Sequence, residues 1–105
     1  MKTHLLNSAM MPAEGRYRMR KIYPDEFADL VRIAHRAGRL MSSVGYFQNA
    51  QIIAQMTGVP VPISREVTRL ASGDELLIMK LKYRPDQKGK DVQESDFEYY
   101  HATYE

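Results

Sequence analysis

The sequence has no cysteine and no long apolar run, and each absence excludes a class of protein. Without cysteine among its 105 residues, the chain has neither disulfide bonds nor thiolate metal ligands. Its N-terminal apolar residues are too few for a secretory signal, and no segment approaches the roughly 20 apolar residues of a membrane helix. We therefore expect one globular domain over residues 1–105, located in the cytoplasm and not in a membrane.

The common catalytic motifs are also missing. The chain has no Walker-type phosphate loop, no Gly-x-Gly-x-x-Gly and no helix with paired histidines. Its three histidines are His4, His35 and His101, and the sequence assigns none of them to a site, so no metal and no cofactor is predicted. Charge is uneven, because residues 1–22 carry five basic and one acidic side chain and residues 86–105 carry two basic and six acidic ones. That polarity would steer an anionic ligand toward one part of the molecule.

Hydrophobic periodicity predicts an α/β (α+β) domain, in which a mixed five-stranded sheet is flanked by two main helices and a short C-terminal helix. The predicted order is β-β-α-β-α-β-β-α, and the first two strands are close enough in sequence to form a hairpin. The strands are expected at residues 5–6, 16–22, 40–41, 65–71 and 75–84. The helices are expected from Pro24 to the stop at Gly38, over residues 46–57, and over residues 95–104.

A candidate anion site lies where the second main helix begins. Ser42, Ser43 and Gly45 precede this helix, whose first N–H groups lack intrahelical partners and carry positive potential. The two hydroxyls either cap the helix or hydrogen-bond a phosphate, and both interpretations remain open at this point. Three arginines on predicted neighbouring strands would complete an anion pocket, or are separate surface cations: Arg65, Arg69 and Arg84.

The order and spacing of short blocks along most of the chain resemble those of the small dimeric viral anti-CRISPR ring nucleases and their unassigned phage and plasmid relatives. The blocks are Leu5-Leu6-Asn7-Ser8, Ser43-Val44-Gly45-Tyr46, Gly58-Val59-Pro60-Val61-Pro62-Ile63-Ser64-Arg65, Arg69-Leu70 and Gly73-Asp74-Glu75, followed by the strand ending at Arg84. The resemblance implies a homodimer or higher oligomer with a cyclic nucleotide pocket at its two-fold interface. It also implies binding by Asn7, Ser8, Ser43, Gly45, Arg65 and Arg84, in an infected or plasmid-bearing cell.

Two departures from the family pattern bear on catalysis. Family members carry Gly-His where this chain has Gly45-Tyr46. In the family, a ribose 2′-hydroxyl attacks the neighbouring phosphate, and the histidine protonates the oxygen that leaves. A phenol, with an ordinary pKa of about 10, is a poorer proton donor, but it stacks on a base and donates one hydrogen bond. The family's glutamate after Arg84 is also missing, and only Asp86, in a slightly shifted alignment, would replace it.

These observations predict an anti-defence protein that sequesters a cyclic nucleotide immune messenger without cleaving it. No residue is assigned a catalytic role, and Tyr46 is treated as a binding residue at the family's histidine position. One alternative is an active ring nuclease that uses Tyr46 or another residue. A second alternative is a protein on the same fold that binds a host protein or DNA, although the net charge of +2 argues against affinity for duplex DNA.

Overall fold

The protein is a five-stranded mixed sheet with two helices packed on one face, as given by a computed structural model that describes residues 1–8, 11–83 and 92–105. The predicted mixed sheet and the two main helices are confirmed. The elements are β1 (Thr3–Leu6), β2 (Tyr17–Ile22), α1 (Pro24–Arg36), β3 (Leu40–Ser43), α2 (Phe47–Thr57), β4 (Glu75–Leu81) and β5 (Phe97–Tyr104).

The sheet order, β2-β5-β4-β1-β3, places three parallel strands together at one side. β1 is parallel to both β3 and β4, with Leu6 opposite Ser43 on one side and Ile78 on the other. β5 is antiparallel to β4 and to the edge strand β2. The predicted hairpin of β1 and β2 is therefore wrong, because β4 and β5 lie between them. Since β1, β3 and β4 run in one direction, their carboxyl ends meet at the same edge of the sheet.

The main core lies between the sheet and its two helices. Phe27 and Val31 of α1 and Ile53 of α2 are fully buried there, and the ring of Phe27 lies 4.8 Å from that of Tyr99, centroid to centroid. The other face of the sheet buries a smaller cluster that loops and aromatic side chains cover: Leu6, Leu76, Ile78 and Ala102, against Met11, Tyr17, Leu70 and Tyr104. Both faces of the middle of β4 are thus closed to solvent, which explains its continuous apolar run from Leu76 to Met79.

The C-terminal segment was predicted as a helix, and that prediction is wrong. Residues Phe97–Tyr104 form β5, which follows a short 3-10 turn at Glu94–Asp96. Phe97 and Tyr99 are buried on the helix side of the sheet and Ala102 on the opposite side. Because side chains alternate between the two faces of a strand, β5 contributes apolar side chains to both clusters. Pairing with β2 and β4 supplies the hydrogen bonds that a helix would have supplied internally.

The predicted strand at residues 65–71 is also wrong, because this segment is irregular in the structure. The Thr68 hydroxyl of this segment donates to Ser43 Oγ at 2.6 Å, and the amide of the preceding Ser64 donates to the Val44 carbonyl at 2.9 Å. The sheet therefore has the predicted number of strands, with β5 in place of the expected fourth.

Two of the three histidines have defined structural roles that the sequence did not indicate. His4 is buried, with its Nε2 3.0 Å from Asp74 Oδ2. Burial alone would raise the pKa of Asp74, but hydrogen bonds from the Lys2 amide, His4 and the Ala71 amide outweigh it and lower that pKa to about 2. His101 Nε2 lies 2.7 Å from a carboxylate oxygen of Glu75, whereas His35 is exposed.

Candidate functional site

A concave site lies at the carboxyl ends of the parallel strands, beside the first turn of α2. Asn7 directly follows β1, and Tyr46 follows β3 and is the N-cap residue of α2. Because β1 and β3 are parallel neighbours, the two predicted site residues line one pocket of about 500 Å³. The pocket is lined by Asn7, Tyr46, Phe47, Gln48, Asn49, Leu81, Val92 and Phe97.

The pocket combines aromatic rings, amides and an apolar base. Tyr46 is 64% exposed and Phe47 68% exposed, which is unusual for rings of this size. Asn7, Gln48 and Asn49 supply amide groups that both donate and accept hydrogen bonds. Among the lining residues that the structure describes, none carries a charge. Such a site suits a flat, polar-edged ligand such as a nucleobase.

The amino end of α2 lies beside this pocket, and no side chain of the first turn caps or neutralises it. Tyr46 has an extended backbone, and its side chain makes no capping hydrogen bond to the helix. The first turn of α2 also contains no acidic residue. The positive end of the helix dipole is therefore not neutralised by a carboxylate of that turn, and it remains available to a phosphate or another anion.

Ser42 and Ser43 do not cap α2. The Ser42 hydroxyl donates to the Pro62 carbonyl and accepts a hydrogen bond from the Val44 amide, whereas Ser43 Oγ accepts the Thr68 hydroxyl. Both side chains tie the end of β3 to the irregular segment that follows α2. These contacts hold the segment, which contains Arg65, close to the amino end of α2.

Arg65 is the basic residue that the structure brings to the predicted position. Its Nε donates to the Gly45 carbonyl at 3.0 Å, and a Cβ on Gly45 would lie only 3.2 Å from Arg65 Cγ. Gly45 thus permits the arginine to cross the chain one residue before Tyr46.

The other predicted cations and Ser8 fall in different surroundings. Arg69 is exposed in the irregular segment, so Arg65 and Arg69 do not lie on strands as predicted, and within the described residues Arg69 has no ion-pair partner. Ser8 is exposed next to Asn7. Arg84 and the loop containing Asp86 lie outside the described residues.

The sequence reasoning missed most of the pocket wall. Phe47, Gln48 and Asn49 follow Tyr46 in the first turn of α2, and helical geometry places such residues at the same end of the helix. Placing that turn beside the strand ends would have identified them. Val92 and Phe97 required β5 to be recognised as a strand next to β4, which the incorrect C-terminal helix prevented.

Within residues 1–8, 11–83 and 92–105, no three His, Asp or Glu side chains converge in a way that would hold a metal ion. No helix in the described part of the chain has the length and apolar character needed to span a membrane.

The sheet order, with two helices on one face, defines a small α+β domain. A model of the STIV B116-like family matches residues 3–105, and the chain belongs to this family. Its fold matches that of B116 of Sulfolobus turreted icosahedral virus, with a TM-score of 0.82 over 99% of this chain and 100% of that one. The two are 16% identical, so the likeness concerns the fold alone. A search of the curated proteins found no match.

Proposed function

We propose that the chain is a viral or mobile-element anti-defence protein that binds a cyclic nucleotide immune messenger and retains it uncleaved. The pocket at the strand ends carries this proposal, because it combines the rings of Tyr46 and Phe47 with the amides of Asn7, Gln48 and Asn49. Aromatic rings stack on nucleobases, and amides hydrogen-bond the edges of bases. Membership of a family named for a viral protein agrees with the viral part of the proposal.

The size and surroundings of the pocket support a nucleotide rather than a larger ligand. A volume of about 500 Å³ accommodates one base with its ribose and lies within the usual range of small-molecule sites. Arg65 and the uncapped amino end of α2 supply positive potential for the adjoining phosphates. A cyclic ligand would be held by two copies of the chain, each contacting equivalent halves of the ring.

The described lining of the pocket supports retention without cleavage, because it offers no suitable proton donor. Cutting the ring by attack of a ribose hydroxyl needs a group that titrates near neutral pH and lies at the leaving oxygen. None of the described lining residues is a histidine, a carboxylate or a lysine. His4 and His101 are held by Asp74 and Glu75, and His35 is exposed on α1.

A thermal-shift panel tests the proposal directly. The full chain is heated with cyclic oligoadenylates, cyclic dinucleotides and cyclic ADP-ribose isomers, with their linear forms as controls. A ligand that binds only the folded state at 100 times its Kd adds ~2.7 kcal/mol of stability, which raises the Tm of a domain of this size by roughly 10–20 °C. The bound ligand is then released by heating and identified by chromatography.

The three functions considered give three different results. Stabilisation by one cyclic nucleotide and recovery of that nucleotide intact support sequestration. Linear or cyclic-phosphate products, lost in a Tyr46→Phe variant, would show instead that the protein is an active ring nuclease. If no nucleotide changes the Tm, the sequestration proposal is wrong and a host protein or DNA becomes the expected partner.

A further inference from the structure

The edge strand β2 leaves a row of backbone hydrogen-bonding groups without a partner strand. β2 is the outermost strand of the sheet and pairs with β5 only. The Glu105 amide donates to the Arg16 carbonyl at 2.8 Å, and in an antiparallel pair such hydrogen-bonded positions recur at every second residue. Three residues of β2 therefore direct their N–H and C=O groups away from the sheet: Tyr17, Met19 and Lys21. None of the backbone hydrogen bonds between described residues engages these groups.

The side chains of β2 differ between the two faces of the sheet. Arg18 and Arg20 lie on the face that carries the helices, since Ile22, two residues further along, is buried in the main core. Met19 lies opposite Ala102 of the smaller cluster, on the other face, and is 43% exposed. Beside its open edge, β2 thus presents cations on one face of the sheet and an apolar side chain on the other.

We propose that this edge binds an extended peptide segment of another protein, in which acidic and apolar residues alternate. The segment adds a sixth strand, antiparallel to β2, and its backbone hydrogen-bonds the outward groups of β2. Arg18 and Arg20 then occupy the positions of the new pair that are not hydrogen-bonded, where opposite Cα atoms are only about 4.5 Å apart. Carboxylates at alternate positions reach these two arginines, and the intervening apolar side chains lie next to Met19.

Both arginines retain hydrogen-bonding capacity for such carboxylates. Nη2 of Arg18 lies 3.3 Å from Glu105, and Nη2 of Arg20 lies 2.6 Å from Glu26. A guanidinium has five N–H donors, and among the described residues only Nη2 of each arginine takes part in a side-chain contact. The two side chains are also 85% and 54% exposed, so a second carboxylate can approach each of them.

Concave surfaces adjoin both ends of β2. One has a volume of about 400 Å³ and includes Arg18 and Tyr104, and the other, of about 220 Å³, includes Lys21 and Tyr23. In complexes formed by strand addition, backbone hydrogen bonds supply affinity and pockets for side chains supply specificity. The two surfaces are placed to receive side chains near the ends of a segment as long as β2, which has six residues.

The same features disfavour other occupants of the edge. If the β2 strands of two copies paired, rows of arginines would lie next to each other, and like charges opposite each other are destabilising. Nucleic acid is held by neutralising many phosphates, but three of the four cations in residues 16–21 already have a carboxylate neighbour: Arg18, Arg20 and Lys21. The free backbone groups, in contrast, match another extended peptide.

Fluorescence anisotropy of the full chain with labelled synthetic peptides tests the inference. The probe is an acetylated and amidated hexapeptide of three Glu-Val repeats, and a peptide with the same residues in two blocks is its control. We expect a Kd below ~100 µM for the repeat peptide and binding at least ~10-fold weaker for the block peptide. N-methylation of the valine amides, which face β2 in the proposed pairing, should also weaken binding ~10-fold, whereas N-methylation of the glutamate amides should not.

Protein variants test the same contacts from the other side. Arg18→Glu places a carboxylate opposite the acidic side chains and should weaken binding of the repeat peptide by ~10-fold or more. Arg36→Glu is the matched control, because it changes the net charge equally at an exposed position on α1. Met19→Pro removes one outward N–H, keeps the hydrogen bonds to β5 and should weaken binding by ~5-fold. Circular dichroism checks folding, and Arg18→Gln replaces Arg18→Glu if that variant unfolds.

Several results would overturn the inference. These are no binding of the repeat peptide at ~1 mM, equal binding of the two N-methylated peptides, and equal weakening by Arg36→Glu. Tighter binding of a labelled single-stranded oligonucleotide, lost in Arg18→Glu, would assign the edge to nucleic acid, and self-association lost in Met19→Pro would assign it to a second copy.

The inference does not rest on the proposed nucleotide binding, because β2 contributes no residue to the nucleotide pocket. A chain that binds the repeat peptide but no cyclic nucleotide contradicts the proposed function alone. A chain that binds a cyclic nucleotide but not the peptide contradicts this inference alone.

Discussion

Arg65 donates a hydrogen bond from Nε to the carbonyl oxygen of Gly45, and this contact holds a guanidinium one residue away from Tyr46. The arginine comes from the irregular segment after α2, and Ser42 and Ser43 tie that segment to the end of β3. The cation is therefore positioned by side-chain contacts, whereas the sequence had predicted that a strand would position it. Its position next to the amino end of α2 is what connects it to anion binding.

Replacing Arg65 by glutamine should weaken binding of the cyclic nucleotide by about 10- to 150-fold, because one charge-assisted hydrogen bond to phosphate contributes about 1.5–3 kcal/mol. Isothermal titration calorimetry at two salt concentrations measures the change, and the salt dependence should decrease. Arg36→Gln makes the same change of charge on the exposed last turn of α1 and should have little effect. Equal losses in the two variants would show that Arg65 acts only through net charge.

Tyr46→Ala should reduce nucleotide affinity by about 5- to 150-fold, since stacking of an aromatic ring on a base contributes roughly 1–3 kcal/mol. Tyr46→Phe keeps the ring and should retain most of the affinity. Tyr23→Ala is a close control, because Tyr23 is the N-cap residue of α1, also makes no capping hydrogen bond and is 82% exposed. Normal binding by Tyr46→Ala would exclude stacking on Tyr46.

The sequence was sufficient for the two main helices and for two residues that the structure brings into one pocket, and particular residues show why. Helical spacing and the glycines after each helix located α1 and α2, and Gly58 does adopt the left-handed conformation, with φ 74°, that ends α2. Asn7 and Tyr46 were predicted separately, and the parallel pairing of β1 and β3 brings them into one pocket.

The strand β5 and the pair of His4 and Asp74 could not be predicted from the sequence, because both depend on contacts between residues far apart in the chain. Residues 97–104 form a strand because β2 and β4 lie on either side of them, and no local pattern reports those neighbours. His4 and Asp74 are 70 residues apart in sequence, so their buried pair was invisible before β1 and β4 were known to be adjacent.

The buried pair of His4 and Asp74 should make the protein sensitive to acid. The pKa of Asp74 is about 2 in the folded protein, against 3.8 for an ordinary aspartate, so its ionised form stabilises the fold at pH values above 3.8. That stabilisation, about 2 kcal/mol from the size of the shift, is lost as the pH falls from about 4 toward 2. Urea unfolding measured between pH 2.5 and pH 6 should show the decrease.

Asp74→Asn should lower the stability at pH 6 and flatten the decrease below pH 4, because the variant has no carboxylate to protonate. Asp25→Asn, at an exposed position in the first turn of α1, should leave the steep acid dependence in place. A wild-type chain whose unfolding free energy stays constant from pH 5 to pH 2.5 would contradict the assigned role of Asp74.

Arg32 joins the two helices, and its removal should destabilise the fold without altering the pocket. Its Nε and Nη2 donate to the carbonyls of Thr57 and Met56 in the last turn of α2, each at 3.0 Å, while Nη1 contacts Asp29 of α1 at 2.9 Å. These carbonyls have no partners within the helix, and a cation there also favours the negative end of the dipole. Arg32→Met keeps much of the side-chain volume but loses all three hydrogen bonds.

The expected loss for Arg32→Met is about 1–3 kcal/mol of unfolding free energy, which would lower the Tm by roughly 4–20 °C. Arg36→Met, on the same helix at an exposed position, should change the Tm by only a few degrees. Nucleotide affinity measured well below the Tm should be unchanged, because Arg32 contacts the carboxyl end of α2 and the pocket lies at its amino end. If Arg32→Met is fully folded but binds the nucleotide more weakly, the position of α2 on the sheet depends on Arg32.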